Sequence, residues 1–455
     1  MQRVLGVISA AALMSVNGAP MSAGSLSESM SAGAPFDVGA LLTAARGAPP
    51  MICALAAQTV RGYGWNDWND APATPLAALA STRGRDVSNA PLVQADIDRL
   101  TEALASTDPC VRELSVRILG GQKAENVATV FLTRLGSPDA SMREVAAFGL
   151  GLVQAKASVD PLITTLRDGA PSVRANAAWA LGRMESGRAL APIVSLFRDN
   201  TEMVRLAAVV AAGRIDSSSS VAAITRVLEN DESPAVRRVA AWALGQKEAR
   251  ESADALARVL AKEGDSRVRE MVAWALGNME SRSAAATLTT ALRRDADDYV
   301  RETAAWGLAQ IGERSSVDVL GAAAESDRSA KVRGTAAWAI GQLHGNGVKA
   351  PNGLIRMLKD ESDDARLKAA WALGQIGDPS ALAPIRDALK AEQSAQVRRA
   401  LIRAVIKSGG RSEETLTELL NSSDASVREA AVRGLAGNNS FNPWPWPWPR
   451  PRPFP

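Results

Sequence analysis

The stretch DESPAVRRVAAWALGQ (231–246) sets an acidic residue, a proline and a Val-Arg pair before an alanine-rich run that closes on tryptophan, leucine and glycine. Its core, AAWALG at 240–245, returns at 177–182 and 369–374, and with one letter changed at 272–277 (VAWALG) and 336–341 (AAWAIG). The arginine that opens each motif falls at Arg112, Arg143, Arg174, Arg205, Arg237, Arg269, Arg301, Arg333, Arg366, Arg398 and Arg428, with spacings of 30 to 33 residues. So steady a period is the mark of a tandem array, in which each unit buries its apolar face against its neighbours.

One period shows what the unit is. SVDPLITTLRD (158–168) carries apolar residues at helical spacing, GAPS (169–172) is a turn, and VRANAAWALGRM (173–184) is a second helix, after which ESGRA turns back. Each unit is therefore predicted to be a helical hairpin. Hydrophobic residues make up 46% of the chain, enough for a long helical core and too many for a disordered one.

These units resemble the HEAT-like repeats of the phycobilisome-lyase type: an acidic residue, often proline, then Val-Arg, then an alanine-rich helix ending in Ala-Leu-Gly. STDPCVRELSVRILGG (106–121), DESPAVRRVAAWALGQ (231–246) and ESDDARLKAAWALGQIGD (361–378) carry the pattern, and the resemblance covers about residues 94–437. It implies an all-α fold, a right-handed α-solenoid of about eleven hairpins, and is nearly silent about function.

The flanks are different in kind. Residues 1–18 (MQRVLGVISAAALMSVNG) read as a secretory signal peptide, with one basic residue, a short apolar stretch and small residues following, so an exported, periplasmic or envelope location is expected. That stretch is too short to span a bilayer as an ordinary helix. Residues 19–93 are expected to hold a helical cap and an irregular segment. The tail from 438 to 455 ends PWPWPWPRPRPFP, where alternate prolines exclude the α-helix and favour polyproline II. Trp444, Trp446, Trp448, Arg450 and Arg452 suit three roles: a ligand for an aromatic groove, an interfacial membrane anchor, or a spacer.

Number the second helix from its valine as position 1. At about 100° per residue, positions 1, 5, 8, 9 and 12 share one apolar face, while the tryptophan at position 7 lies well off it, beside positions 3 and 11. Position 3 carries Glu113, Glu144, Arg238, Glu270, Glu302 and Arg399, and position 11 carries Arg183, Gln246, Asn278, Gln310, Gln342 and Gln375. The polar neighbours place Trp179, Trp242, Trp274, Trp306, Trp338 and Trp371 in a solvated stripe, which by resemblance lines the concave wall. Two readings follow: a partner-binding groove, which is favoured because exposed indoles would form a large apolar patch, or inter-repeat spacers folded over the adjoining alanine and glycine.

The arginine at position 2 is expected to be structural. In most units an acidic or hydroxyl residue lies three or four positions upstream, as in Asp108, Asp139, Asp265, Asp297 and Asp424, with Asp231 six upstream of Arg237, giving hydrogen-bonded pairs and helix caps between repeats.

Composition also excludes chemistry. A single histidine, His344, rules out the paired His-Glu iron motifs of the similarly built deoxyhypusine hydroxylases, and rules out ordinary zinc and Ser-His or Cys-His sites, so no metal, cofactor or catalytic residue is assigned. The formal charge is +3, from 52 basic and 49 acidic side chains interleaved throughout, so no field exists to hold nucleic acid, and the indole column is not read as that of the HEAT-like alkylpurine DNA glycosylases. A lyase-like chromophore carrier or an enzyme subunit stays as an alternative. Cys53 and Cys110 would form a bridge from the N-terminal segment to the first repeat in an oxidising compartment, or be two buried free thiols. The sequence thus points to an exported, non-enzymatic scaffold for an extended protein or peptide, with membrane contact through the tail as an alternative.

Overall fold

The computed structural model describes residues 37–49, 53, 92–122, 125–343, 349–409, 417, 419–422 and 425–435. Residues 1–18, read above as a signal peptide, the Trp-Pro tail and His344 lie outside them. Every regular element among the described residues is helical, and the chain is an α-solenoid of helical hairpins, divided into two compact units between Ala223 and Ile224.

In the first unit α1 (Val38–Ala45) precedes the hairpins α2 (Gln94–Ala103) with α3 (Pro109–Gly121), α4 (Glu125–Leu135) with α5 (Ala140–Val153), α6 (Val159–Thr165) with α7 (Pro171–Arg183), and α8 (Leu190–Ser195) with α9 (Glu202–Arg214). The division falls within α10 (Val221–Asn230). The second unit continues with α11 (Pro234–Gln246), α12 (Ala253–Lys262), α13 (Ser266–Asn278), α14 (Ala285–Arg294), α15 (Asp298–Ile311), α16 (Val317–Ser326), α17 (Ala330–Gln342), α18 (Asn352–Arg356), α19 (Asp363–Ile376), α20 (Leu382–Ala391), α21 (Ala395–Lys407) and α22 (Ala425–Leu435).

Second helices begin on polar caps that the sequence places there. Asp108 accepts from the backbone N–H groups of Cys110 and Val111, Asp265 from Arg267 and Val268, and Asp297 from Tyr299 and Val300, satisfying donors that the first turn leaves unpaired. Pro109, Pro171 and Pro234 occupy the first turn, where a missing N–H costs nothing. Left-handed residues end α15 and α19 at Gly312 (φ +75°) and Gly377 (φ +66°).

Within each unit the second helices pack in a continuous row: α3, α5, α7 and α9 in the first, α11, α13, α15, α17, α19, α21 and α22 in the second. Most also pack on a first helix, as α15 does on α14 and α17 on α16. A second helix inside a row is thus covered on three sides, and α7, α13 and α15 are buried almost without interruption from their valine to their glycine. This three-sided burial decides the fate of the tryptophans.

At the N-terminal end α1 rests on α2 and α3. Cys53 and Cys110 are joined by a disulfide across a separation of 57 residues, so of the two readings the bridge holds. Beside it the backbone N–H of Gly47 donates to Asp108 Oδ2 at 2.7 Å.

Candidate partner-binding face

The six indoles do not form an exposed groove. Trp179, Trp242, Trp274, Trp306 and Trp338 are only 2–8% exposed, and Trp371 is half-buried. The rings of Trp179, Trp274, Trp306 and Trp371 point along the row of second helices, toward the glycine at position 10 of the preceding repeat, whereas Ala309 holds that position before Trp338. A Cβ built on Gly151 would lie 2.5 Å from Trp179 Cζ3, one on Gly245 2.6 Å from Trp274 Cζ3, and one on Gly277 2.8 Å from Trp306 Cζ3. Gly341 is covered by Trp371 in the same way. The spacer reading is therefore the correct one, and the solvated tryptophan stripe is withdrawn. A wheel with one buried face describes a helix with one neighbour, whereas position 7 here meets a second neighbour, the preceding second helix. Trp306 Nε1 is buried with no acceptor, as expected of a ring placed for its bulk.

The first unit varies the theme. Arg117 and Phe148 precede Trp179 in the column, with the Phe148 and Trp179 rings stacked at 4.9 Å between centroids. The guanidinium of Arg117 lies 5.4 Å from the Phe148 ring and that of Arg183 5.2 Å from the Trp179 ring, closing the stack with a cation at each end. Arg117 also pairs with Glu113 inside the protein.

What the indoles leave to solvent is the polar edge of position 11. Gln246 and Gln342 are exposed, and Asn278, Gln310 and Gln375 are partly so. Asn278 Nδ2 donates to Gly245 O at 3.1 Å, as Arg183 Nε does to Gly151 O in the first unit, and Gln375 Oε1 accepts from Lys407. Gln246, Gln310 and Gln342 make no side-chain hydrogen bond among the described residues. Three uncommitted amides therefore recur at the register of the repeat along one unit. Glu302, at position 3, accepts at Oε1 from Thr335 Oγ1 of the next repeat at 3.1 Å; burial raises the Glu302 carboxyl above its ordinary range. Lys368 is held by Asp364 at 2.7 Å.

Arginine at position 2 builds a ladder, although its partner differs from the expected one. Asp139, Asp265 and Asp297, three or four residues upstream, cap their own helices. The carboxylate partner sits one repeat downstream. Arg269 Nε and Nη2 donate to Asp295 Oδ2 and Oδ1 at 2.8 and 2.9 Å, and its Nη1 reaches Glu263 O at 3.1 Å. The same two-pronged grip joins Arg143 to Asp168, Arg174 to Asp199, Arg237 to Glu263, Arg301 to Asp327, Arg333 to Asp360 and Arg366 to Glu392. Each acid also accepts a backbone N–H of its own loop, as Asp295 does from Asp297. The hydrogen bond from Arg143 holds Asp168 below the usual carboxylate range, and that from Arg237 does the same for Glu263. For Asp295 burial pushes upward, but Arg269 and the Asp297 N–H outweigh it.

Among the described residues no cluster of three histidine, cysteine, aspartate or glutamate side chains is placed to hold a metal, and no helix is long and apolar enough to cross a membrane.

Hairpins stacked at a fixed period, stapled by arginine and wedged by tryptophan, define a helical repeat protein. The family is now plain: the chain belongs to the HEAT repeats, whose model matches residues 128–213, 159–231, 221–309, 286–363, 317–406 and 351–436. No curated sequence matches it. Among solved structures it is similar to an engineered protein, at 21% identity and TM-score 0.40 over 75% of this chain and 98% of that one. It is also similar to a complex of Kap95p with RanGDP, at 15% identity and TM-score 0.50 over 94% of this chain and 60% of that one. The complex of CpcE and CpcF of phycocyanin lyase from Nostoc sp. gives 20% identity and TM-score 0.33 over 53% and 97%. These likenesses concern the fold.

Proposed function

We infer that the protein is an exported, non-enzymatic scaffold that binds an extended protein segment along the amide row of its second unit. The carrying observation is that Gln246, Gln310 and Gln342 stand at the same position of their repeats, two repeats and then one repeat apart, with no side-chain hydrogen bond among the described residues. A carboxamide offers both a donor and an acceptor, the pair that an extended backbone presents in reverse. Neighbouring helices lie about 8–10 Å apart, so Gln310 and Gln342 match groups two or three residues apart on such a segment, and Gln246 one about twice as far along. Kap95p, a solenoid of similar fold, is seen with a protein partner, RanGDP, and this supports the class of ligand. The Cys53–Cys110 disulfide supports export, since such bonds persist in oxidising compartments.

The test replaces Gln246, Gln310 and Gln342 together by alanine and compares partners recovered from envelope extract by the two proteins, with circular dichroism confirming an unchanged fold. Loss of a partner held by the wild type is expected; an identical set of partners sinks the reading. Membrane contact through Trp444, Trp446, Trp448, Arg450 and Arg452 is a separate proposal, resting on the tail's composition. Vesicle flotation with and without residues 442–455 tests it, and equal flotation refutes it.

A further inference from the structure

We propose that a cleft between α14 and α16, on the first helices and remote in role from the amide row, is a docking pocket for an acidic peptide segment of a partner protein.

The cleft arises from a local departure from the repeat. Where α12 carries Arg258, Val259 and Leu260, and α14 carries Thr290, Ala291 and Leu292, α16 carries Ala322, Ala323 and Ala324. Bulk is missing from one first helix. On its other side α16 meets α18 through Gly321 and Gly353, so closely that a Cβ on Gly353 would collide with the Gly321 carbonyl oxygen. Trimmed side chains on α16, and its close seating on α18, leave a cavity of about 470 Å³ against α14.

Its floor is apolar, formed by Leu292, Val319, Ala322 and Ala323, and its rim is cationic, formed by Arg293, Arg294 and Arg328. The neighbouring acids do not neutralise that rim. Asp295 is gripped by Arg269 and Asp327 by Arg301, each through two hydrogen bonds, while Glu325 pairs with Arg356 at 3.0 Å. Arg328 donates to Ala296 O and keeps its charge. Arg293 and Arg294 are exposed and have no ion pair among the described residues. Three positive charges around a polar-walled pocket with a small apolar floor complement a segment with carboxylates flanking one aliphatic side chain, the aliphatic group on the floor and the carboxylates on the guanidinium forks.

The experiment measures fluorescence anisotropy of a fluorescein-labelled Glu-Glu-Leu-Glu-Glu peptide with the full-length protein. Saturable binding that weakens with salt is expected. Affinity should fall about tenfold or more, equivalent to about 1.4 kcal/mol, in Arg293→Ala with Arg294→Ala, and likewise in Ala323→Leu, which fills the floor and leaves the charges in place. Circular dichroism reports the fold of each, and the arginine pair, being on the surface, decides if Ala323→Leu is perturbed. The Gln246, Gln310 and Gln342 triple variant should bind the peptide as the wild type does, which separates failure of this proposal from failure of the amide row. No saturable binding, equal binding of Lys-Lys-Leu-Lys-Lys, unchanged affinity in the folded arginine variant, or full displacement by inorganic phosphate at equal concentration overturns it.

Discussion

Replacing Gly245 and Trp274 singly and together tests whether the tryptophans are wedges. Trp274 is buried, and its Cζ3 lies where a Cβ on Gly245 would come within 2.6 Å. Trp274→Ala withdraws roughly 150–250 Å² of aromatic surface, which at about 25 cal/mol per Å² bounds the loss near 4–6 kcal/mol, and core substitutions of this kind cost about 3–5 kcal/mol. Gly245→Ala gains up to about 1 kcal/mol of helix propensity but drives a methyl into the indole, at about 1–3 kcal/mol or more. In the double variant the indole is gone, and the methyl enters the space it vacated. A contact remains, because the same Cβ would lie 3.1 Å from Ala275 Cα, so relief is incomplete. The double variant should be more stable than the sum of the singles by about 1–3 kcal/mol. Denaturant unfolding followed by circular dichroism measures it. Additivity within about 0.5 kcal/mol would mean that the two residues do not share a site, and the wedge account would fail.

Two further outcomes follow from the staples. Glu263→Gln keeps the shape of the Arg237 grip and removes its charge. Because Glu263 is held below its ordinary value near 4.5, the unfolded chain binds its proton first; the stabilisation is present above that value and disappears as pH falls through the folded value. The variant should be about 1–2 kcal/mol less stable near neutrality, with a gap that narrows in acid; a gap that does not change with pH refutes the assignment. Cys53→Ser opens a loop of 57 residues, and the loss should approach about 4 kcal/mol for the segment it closes. Unfolding of wild type and variant with and without reductant measures it, and no difference under oxidising conditions refutes a stabilising role.

The period of the opening arginines was sufficient to read the solenoid, because a hairpin that cannot bury its own apolar face leaves stacking as its only solution. The direction of the indoles was misread because the helical wheel counted one neighbour. A signal was available in the glycine at position 10. Gly245, Gly277 and Gly341 sit inside helices, where glycine costs about 1 kcal/mol relative to alanine, and its return at one slot asks what approaches so closely. The ladder was half legible: Asp265 and Asp297 were placed as caps, but the carboxylates gripping Arg237 and Arg269 lie 26 residues on, a distance bridged only once the stacking of repeats is known. The alanine run of α16 was readable as lost bulk, yet the cavity required knowing that Gly321 and Gly353 draw that helix aside.

The staple has a bearing on how such an array changes length. Excising Ser266 to Asp297, 32 residues, would set Asp265 before Asp298 as its cap. Glu263 would then stand six residues ahead of Arg301, as Asp295 does now, and Gly245 would receive Trp306 in place of Trp274. Every junction would be remade from parts already matched to it, so duplication or deletion by whole periods is the one kind of insertion this architecture accepts without a seam.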